Sequence, residues 1–350
     1  MEEVMVKAGV IGSTGYAGAQ LVSLLANHPH ISLTYLGSHS YVGKRFSSIY
    51  PSMQGSCDLV LEEEDIEGAS KRCSVLFLAL PHGMASKLVT KEILERCVII
   101  DLGADYRLSD VSVYTQWYKS EHTSQHLLQE AVYGLSELKR PLIAKANLIA
   151  NPGCYTTCSI LTLAPLVAEN LIERTSIIID SVSGVTGAGR VERTDSLFCE
   201  CNESFKAYGV TDHRHTPEIE QELSALAGQK TVVQFTPHLA PMNRGILSTC
   251  YANLKDGVGE DEIGAAYAKW YAEESFIRLM GTSLPETRFV KNTNTTAIGW
   301  KVDPRTRRVI AIGALDNLIK GAGGQAVQNM NIRFGFAENA GLASTVVNPL

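Results

Sequence analysis

Residues 6–18 read Val-Lys-Ala-Gly-Val-Ile-Gly-Ser-Thr-Gly-Tyr-Ala-Gly. Val6 to Ile11 is an apolar run of strand length, and Gly12, Gly15 and Gly18 then follow at intervals of three. An apolar stripe through Leu21, Leu24 and Leu25 continues at helical spacing. A strand that stops at spaced glycines and opens a helix fits a pyrophosphate resting on the helix N-terminus, where unpaired N–H groups and the helix dipole favour negative charge. Gly12 would make the turn, Gly15 would let the backbone approach phosphate, and Gly18 would let the helix lie against the sheet. Ser13, Thr14, Tyr16 and Ala17 complete this cofactor loop. The glycines alone are a weak signal and fit a turn without a ligand equally well. The strand before them and the helix after them give the reading its weight.

Outward from this loop, the stretches 31–36, 75–80 and 98–102 are further strands separated by helices. Such alternation implies parallel pairing with right-handed crossovers, a Rossmann-type doubly wound α/β domain. After about residue 154 the texture changes. Stretches 176–182, 231–236, 246–254, 296–302 and 309–314 are strand-like and closely spaced, so the second domain reads as α+β with a mostly antiparallel sheet. An amphipathic helix over 260–275 lies on its outside, and a last helix is expected over 317–331. That helix holds Gly321, Gly323 and Gly324, each costing roughly 1 kcal/mol, and so should pack closely on another backbone. With 350 residues, two domains are expected: 1–153 with 316–350 for nucleotide binding, and 154–315 for catalysis and oligomerisation.

Composition removes several classes of function. The formal net charge is −6 and cations are not clustered, which argues against a nucleic-acid partner. No stretch has the ~20 uninterrupted apolar residues of a membrane span. The N-terminus is acidic and enters a strand directly, unlike a targeting peptide. The eight cysteines form no disulfide framework and include no CxxC, so the chain reads as reduced and cytoplasmic. Cys199 and Cys201, with His213 and His215 downstream, lack zinc-finger spacing, and no metal is expected.

The end of the second strand bears on the cofactor. NAD-binding folds place an acidic residue there to hold the ribose 2′-OH. Between Glu3 and Asp58 this chain has no acidic residue at all. It offers Ser38, His39 and Ser40, followed by Lys44 and Arg45, and these hydroxyls and cations suit the 2′-phosphate of NADP.

Residues 147–157, Asn-Leu-Ile-Ala-Asn-Pro-Gly-Cys-Tyr-Thr-Thr, read as strand, tight turn and helix. Cys154 would open that helix, where the dipole stabilises a thiolate. The ordinary alternative is a core cysteine. A thiolate beside a nicotinamide points to an acyl group held as a thioester and exchanged with hydride transfer. That chemistry needs an acid/base, and His215 is the best placed, before a helix start with Pro217 in its first turn. His213 and His215 could equally be surface residues. Arg190 and Arg244 are candidates for a substrate carboxylate, or ordinary surface arginines.

Taken together these stretches resemble the N-acetyl-gamma-glutamyl-phosphate reductases, and more remotely the aspartate-semialdehyde dehydrogenases. The similarity runs from Gly12-Ser-Thr-Gly-Tyr-Ala-Gly18 to Asp316-Asn-Leu-Ile-Lys-Gly-Ala322, through Leu80-Pro-His-Gly83, Asp101-Leu-Gly-Ala-Asp-Tyr-Arg-Leu108, Tyr133-Gly-Leu-Ser-Glu137, Asn151-Pro-Gly-Cys-Tyr155, Ser183-Gly-Val-Thr-Gly-Ala-Gly-Arg190, His213-Arg-His-Thr-Pro-Glu218 and Phe235-Thr-Pro-His-Leu239. The resemblance implies that Cys154 is the nucleophile, that His215 is the acid/base with His213 on the substrate side, and that NADP contacts include Pro81 and Asn317. It also implies a phosphate-binding role for Arg107. Gly103 departs from the family pattern, which usually has Ser there. The implied activity is NADPH-dependent reduction of N-acetyl-gamma-glutamyl phosphate in arginine synthesis, by a homodimer or homotetramer. An aminoadipyl or aspartyl acyl-phosphate reductase, and an inactive NADP-binding module, are the alternatives.

Overall fold

The computed structural model describes residues 5–345. In it the first apolar run forms β1 (Val6–Ile11), with Ala8, Val10 and Ile11 wholly buried. Five more strands join it: β2 (Ile31–Gly37), β3 (Val75–Leu78), β4 (Val98–Asp101), β5 (Ala131–Tyr133) and β6 (Leu148–Ala150). Their order is β2-β1-β3-β4-β6-β5. Every pairing is parallel. β3 and β4 are buried along their whole length, as a sheet covered on both faces requires. The strand order turns about β1, which puts the glycine loop at a topological switch point, the usual ligand crevice of such sheets.

This sheet belongs to one of two compact units, which runs up to Pro152 and takes in Ala322–Leu342. The other comprises Gly153–Gly321 and resumes at Ala343. Its strands are β7 (Ile178–Gly184), β8 (Lys206–Ala207), β9 (Gln234–Ala240), β10 (Ile246–Asn253), β11 (Ile277–Gly281), β12 (Thr296–Asp303) and β13 (Arg308–Leu315). They form a seven-stranded sheet in the order β11-β12-β13-β10-β7-β9-β8. It is mostly antiparallel, with β7–β9 and β11–β12 parallel. The Cys154–Ala168 helix lies on β10 and β13, and the Thr216–Ala227 and Glu260–Tyr271 helices pack beside it. Alternation in β10 shows why. Ile246, Ser248, Cys250 and Ala252 face the helix and are buried, while Leu247, Thr249, Tyr251 and Asn253 stay half-exposed on the other side.

Three expectations shift. The strand placed at 231–236 begins only at Gln234. The Thr231 N–H donates to the Ser224 hydroxyl (2.8 Å) and the Val233 N–H to the Glu220 carboxylate (3.1 Å), so helix side chains claim the amides a strand would use. The last helix spans Gly324–Phe334, preceded by a π-turn over Ile319–Gly323. The return to the first unit comes at Ala322 rather than at 316. Asp316 and Asn317 are held in the second unit, where they accept from the Asn292 N–H and the Gly245 N–H (2.8 Å each). The chain comes back to that unit at Ala343, whose carbonyl accepts from the Asn294 N–H (2.7 Å).

Candidate active site

Gly12 has φ +75°, and a Cβ there would lie 2.3 Å from the Ala79 carbonyl oxygen. Gly18 is as constrained, since its Cβ would lie 2.1 Å from the Gly12 carbonyl oxygen. It therefore seats the Tyr16–Ala26 helix on the loop's own backbone. Among the described residues no side chain caps this helix, and its first turn carries no carboxylate. The cradle and the open helix end fit a pyrophosphate. Ser13 plays an internal part: it is buried, and its hydroxyl donates to the Gly37 carbonyl (2.8 Å), tying the ends of β1 and β2.

Past β2, Ser38 is fully buried and its hydroxyl pairs with that of Thr14 (3.0 Å). His39, Ser40, Lys44 and Arg45 are exposed. The fold brings one carboxylate beside this strand end that the order of residues along the chain conceals, because Gly37 bridges to Glu62. Both Glu62 carboxylate oxygens are bound by Arg72 (2.7 and 3.1 Å). Pro81 is exposed in the loop after β3.

Cys154 is the first residue of its helix, with Gly153 as N-cap, and is partly exposed. Cys57, Cys73, Cys97, Cys158 and Cys250 are buried. Burial pushes the thiols of Cys97 and Cys158 up to about 12, so they stay protonated and inert. Gly321 closes over Cys154, since a Cβ on it would meet the Cys154 Cβ at 2.8 Å. The glycine-rich segment was expected to pack on another backbone; at Gly321, in the π-turn, the near atom is instead a side-chain carbon.

An aromatic cluster surrounds the two histidines. The Tyr155 ring lies 5.7 Å from His213 and 5.9 Å from His215, and the two imidazoles are 4.9 Å apart. The Tyr155 hydroxyl donates to the His238 carbonyl (2.9 Å), and Tyr208 donates to Tyr155 (3.2 Å). His215 is the N-cap of the Thr216–Ala227 helix, with Pro217 in the first turn as expected. His213 Nδ1 accepts from the His215 backbone N–H (3.2 Å). Burial, then the nearby Arg214, lowers the His213 pKa to about 4, so its ring is neutral near pH 7.

Sequence reasoning gave no role to Glu218. It is 1% exposed, and its Oε1 accepts from the Gly153 N–H (2.9 Å) and lies 2.9 Å from the Thr156 hydroxyl. A glutamate three residues after an N-cap usually reaches back to its own helix start. This one fixes the start of the Cys154 helix instead.

Of the remaining candidates, Arg244, Asn317 and Arg107 have evident packing roles. Arg244 donates to the Asn292 side chain (2.6 Å) and pairs with the buried Asp316 carboxylate (3.4 Å). Asn317 accepts from Gly245 (2.8 Å) and donates to the Thr186 hydroxyl (2.9 Å). Arg107 is 6% exposed and donates to the carbonyls of Asn151 (2.8 Å) and Leu102 (2.7 Å). Arg190 is exposed in the loop after β7. Of the predicted set, Cys154, His213 and His215 share one unit with Glu218 and Gly321, and the glycine loop and Ser38 share the other.

The chain is 52% identical over 338 residues to an N-acetyl-gamma-glutamyl-phosphate reductase of Campylobacter jejuni, covering 96% of this chain and 98% of the relative. It is 51% identical to the reductase so named from Lachnospira eligens, with 97% and 98% covered. It is 49% identical to that of Alkaliphilus metalliredigens, with 99% and 100% covered. The chain belongs to the N-acetyl-gamma-glutamyl-phosphate reductase family. Two family models agree with its division: "Semialdehyde dehydrogenase, NAD binding domain" matches residues 7–146, and "Semialdehyde dehydrogenase, dimerisation domain" matches 154–317. Solved structures show the same fold at low identity. Aspartate semialdehyde dehydrogenase II of Vibrio cholerae, complexed with ASA, superposes with TM-score 0.73 at 15% identity over 95% of this chain and 98% of that one. The Candida albicans enzyme with NADP gives 0.65 at 16%, over 96% and 99%.

Proposed function

We propose that this chain reduces N-acetyl-gamma-glutamyl phosphate to N-acetyl-glutamate 5-semialdehyde with NADPH, through a thioester on Cys154, as a step of arginine synthesis. The observation that carries the reading is the position of Cys154, partly exposed at the first residue of a 15-residue helix. Helix-start amides and the dipole favour a thiolate there. That thiolate attacks the acyl phosphate carbonyl, a C–S bond forms, and the C–O bond to phosphate breaks as inorganic phosphate leaves. NADPH, when bound, supplies the hydride that reduces this thioester. His215 donates its proton to the developing oxyanion and takes it back as the C–S bond breaks, which frees the aldehyde and restores the thiolate. His213, neutral, holds the His215 backbone N–H. Glu218 and Gly321 keep the Cys154 helix start in place.

The cofactor preference rests on the tip of β2. Exposed Ser40, His39, Lys44 and Arg45 suit a 2′-phosphate, while the Glu62 carboxylate that could take a ribose hydroxyl is bound to Arg72. Ser38 supports this corner from within, through Thr14. The match to a dimerisation domain supports a homodimer or homotetramer.

The test runs the reaction backwards, as phosphate-dependent NADP reduction with N-acetyl-glutamate 5-semialdehyde. Turnover that ignores phosphate would refute the acyl-phosphate reading. Equal use of NAD would refute the reading of the β2 tip.

A further inference from the structure

The two strands that meet at the topological switch point, β1 and β3, end side by side, with Ile11 and Leu78 as register partners. The glycine loop follows β1, and the loop Pro81-His82-Gly83-Met84 follows β3. The two loops start in contact. The Ala79 N–H donates to the Ile11 carbonyl (2.9 Å), and the Ala79 carbonyl oxygen is the atom that a Cβ on Gly12 would meet. A nucleotide in the crevice outside the carboxyl ends of these strands is therefore flanked by both loops.

Gly83 has φ +81°, His82 lies outside the positive-φ region, and the Met84 N–H donates to the Pro81 carbonyl (3.3 Å). Residues 81–84 thus form a type II turn, with glycine where φ must be positive. A type I turn would carry the peptide between His82 and Gly83 flipped over. In this one the Gly83 N–H donates to Asp105 Oδ1 (2.7 Å), and the planar trans peptide aims the His82 carbonyl the opposite way.

Asp105 lies beyond β4, the neighbour of β3, and is fully buried. Its Oδ1 also accepts from the Tyr114 hydroxyl (3.0 Å), and its Oδ2 accepts from the Ser86 N–H (2.9 Å). Its own backbone is anchored, since His122 Nε2 donates to the Asp105 carbonyl (2.6 Å). Two of the three donors on this carboxylate are amides of the one loop. A group that only accepts can serve all three, whereas an asparagine would turn its own N–H groups onto one of them.

We infer that Asp105 is a positioning residue for the cofactor: it holds the turn after β3 in the type II form that flanks the nucleotide, without touching the nucleotide itself. This rests on the reading of the crevice as the NADPH site.

NADPH binding to the full chain, followed by cofactor fluorescence with circular dichroism as the check on folding, tests it. Wild type that does not bind ends the cofactor reading and this inference with it. Wild type that binds, with an Asp105→Asn variant that folds and binds equally well, ends this inference alone. Asp105→Asn is expected to raise the Kd about tenfold or more, because a competent turn populated a tenth of the time weakens apparent affinity by that factor. Gly83→Ala leaves the carboxylate in place and should also weaken binding. Gly83→Asn should lie closer to wild type, because Asn tolerates positive φ and a Cβ on Gly83 meets nothing within 4 Å. Tyr114→Phe takes a donor from the same carboxylate but leaves the turn alone, so its Kd should stay within about twofold of wild type. A Kd raised as much by Tyr114→Phe as by Asp105→Asn would leave Asp105 a general structural role and overturn the inference. Weaker binding by Gly83→Asn than by Gly83→Ala would overturn it too. If Asp105→Asn does not fold, the order of the two Gly83 variants decides.

Discussion

Serine at position 154 would keep the turn, the helix and the nucleotide loop while removing the thiolate. Cys154→Ser is expected to lose several powers of ten in kcat and to bind NADPH as before. Rapid-quench turnover and cofactor fluorescence check this, and more than roughly a tenth of wild-type kcat would end the covalent mechanism. The two histidines divide more sharply than their spacing foretold. His213 is neutral near pH 7 because burial lowers its pKa to about 4, so it has no proton to give, and His215→Asn should cost about 10²–10⁴-fold in kcat, more than His213→Asn. The same shift predicts acid lability. Below the unfolded value near 6.5 the unfolded chain takes up a proton that the native ring refuses, so stability is full above pH 6.5 and falls as pH drops towards 4. The loss is roughly 3 kcal/mol over that window, and His213→Gln should flatten it in urea melts at pH 7 and pH 5. At this scale the place of Cys154 at a helix start was legible, because a turn, a glycine and a helix surround it in sequence. Glu218 was not, because its partners Gly153 and Thr156 lie on a different helix.

Among the elements, strands with continuous or alternating apolar residues were readable: β1, β10 and β13 lie within a residue of their expected ends. β5 has three residues and β8 two, too few to show a period. The start of β9 moved because its approach is bonded to side chains of the Thr216–Ala227 helix, a tertiary effect that no local pattern records. The glycine-rich segment shows the reverse. Its composition announced close packing, and the structure identifies the partner as Cys154. Gly321→Ala should therefore push the helix start by several tenths of an ångström and reduce kcat about tenfold or more, with NADPH affinity unchanged. Stopped-flow alkylation of Cys154 in the variant checks it, and a wild-type rate would show that the Gly321 contact is slack.

For the whole molecule, the second unit exposes several large apolar side chains. Val191 is 78% exposed, Phe198 76% and Phe205 61%. All three fall within the matched dimerisation domain, which makes them candidates for a subunit contact. Light scattering at micromolar concentration should return a dimer or tetramer, and the double change Phe198→Asp with Phe205→Asp should shift it towards monomer without altering the circular dichroism. A wild-type monomer would count against the oligomer and leave the chemistry untouched.

The three crossings of the chain between its units also govern how it is made. The Gly324–Phe334 helix lies against the Tyr16–Ala26 and Ser136–Ile143 helices and carries Gln325 and Asn329. A ribosome that has finished Pro152 must still translate roughly 170 residues before that helix emerges, a delay of roughly ten to thirty seconds at ordinary elongation speeds. Throughout that interval Gly134, Ser136 and Asn151 have been synthesised without the amides that satisfy them, and the nascent first unit waits, one wall short, in the range of chaperones.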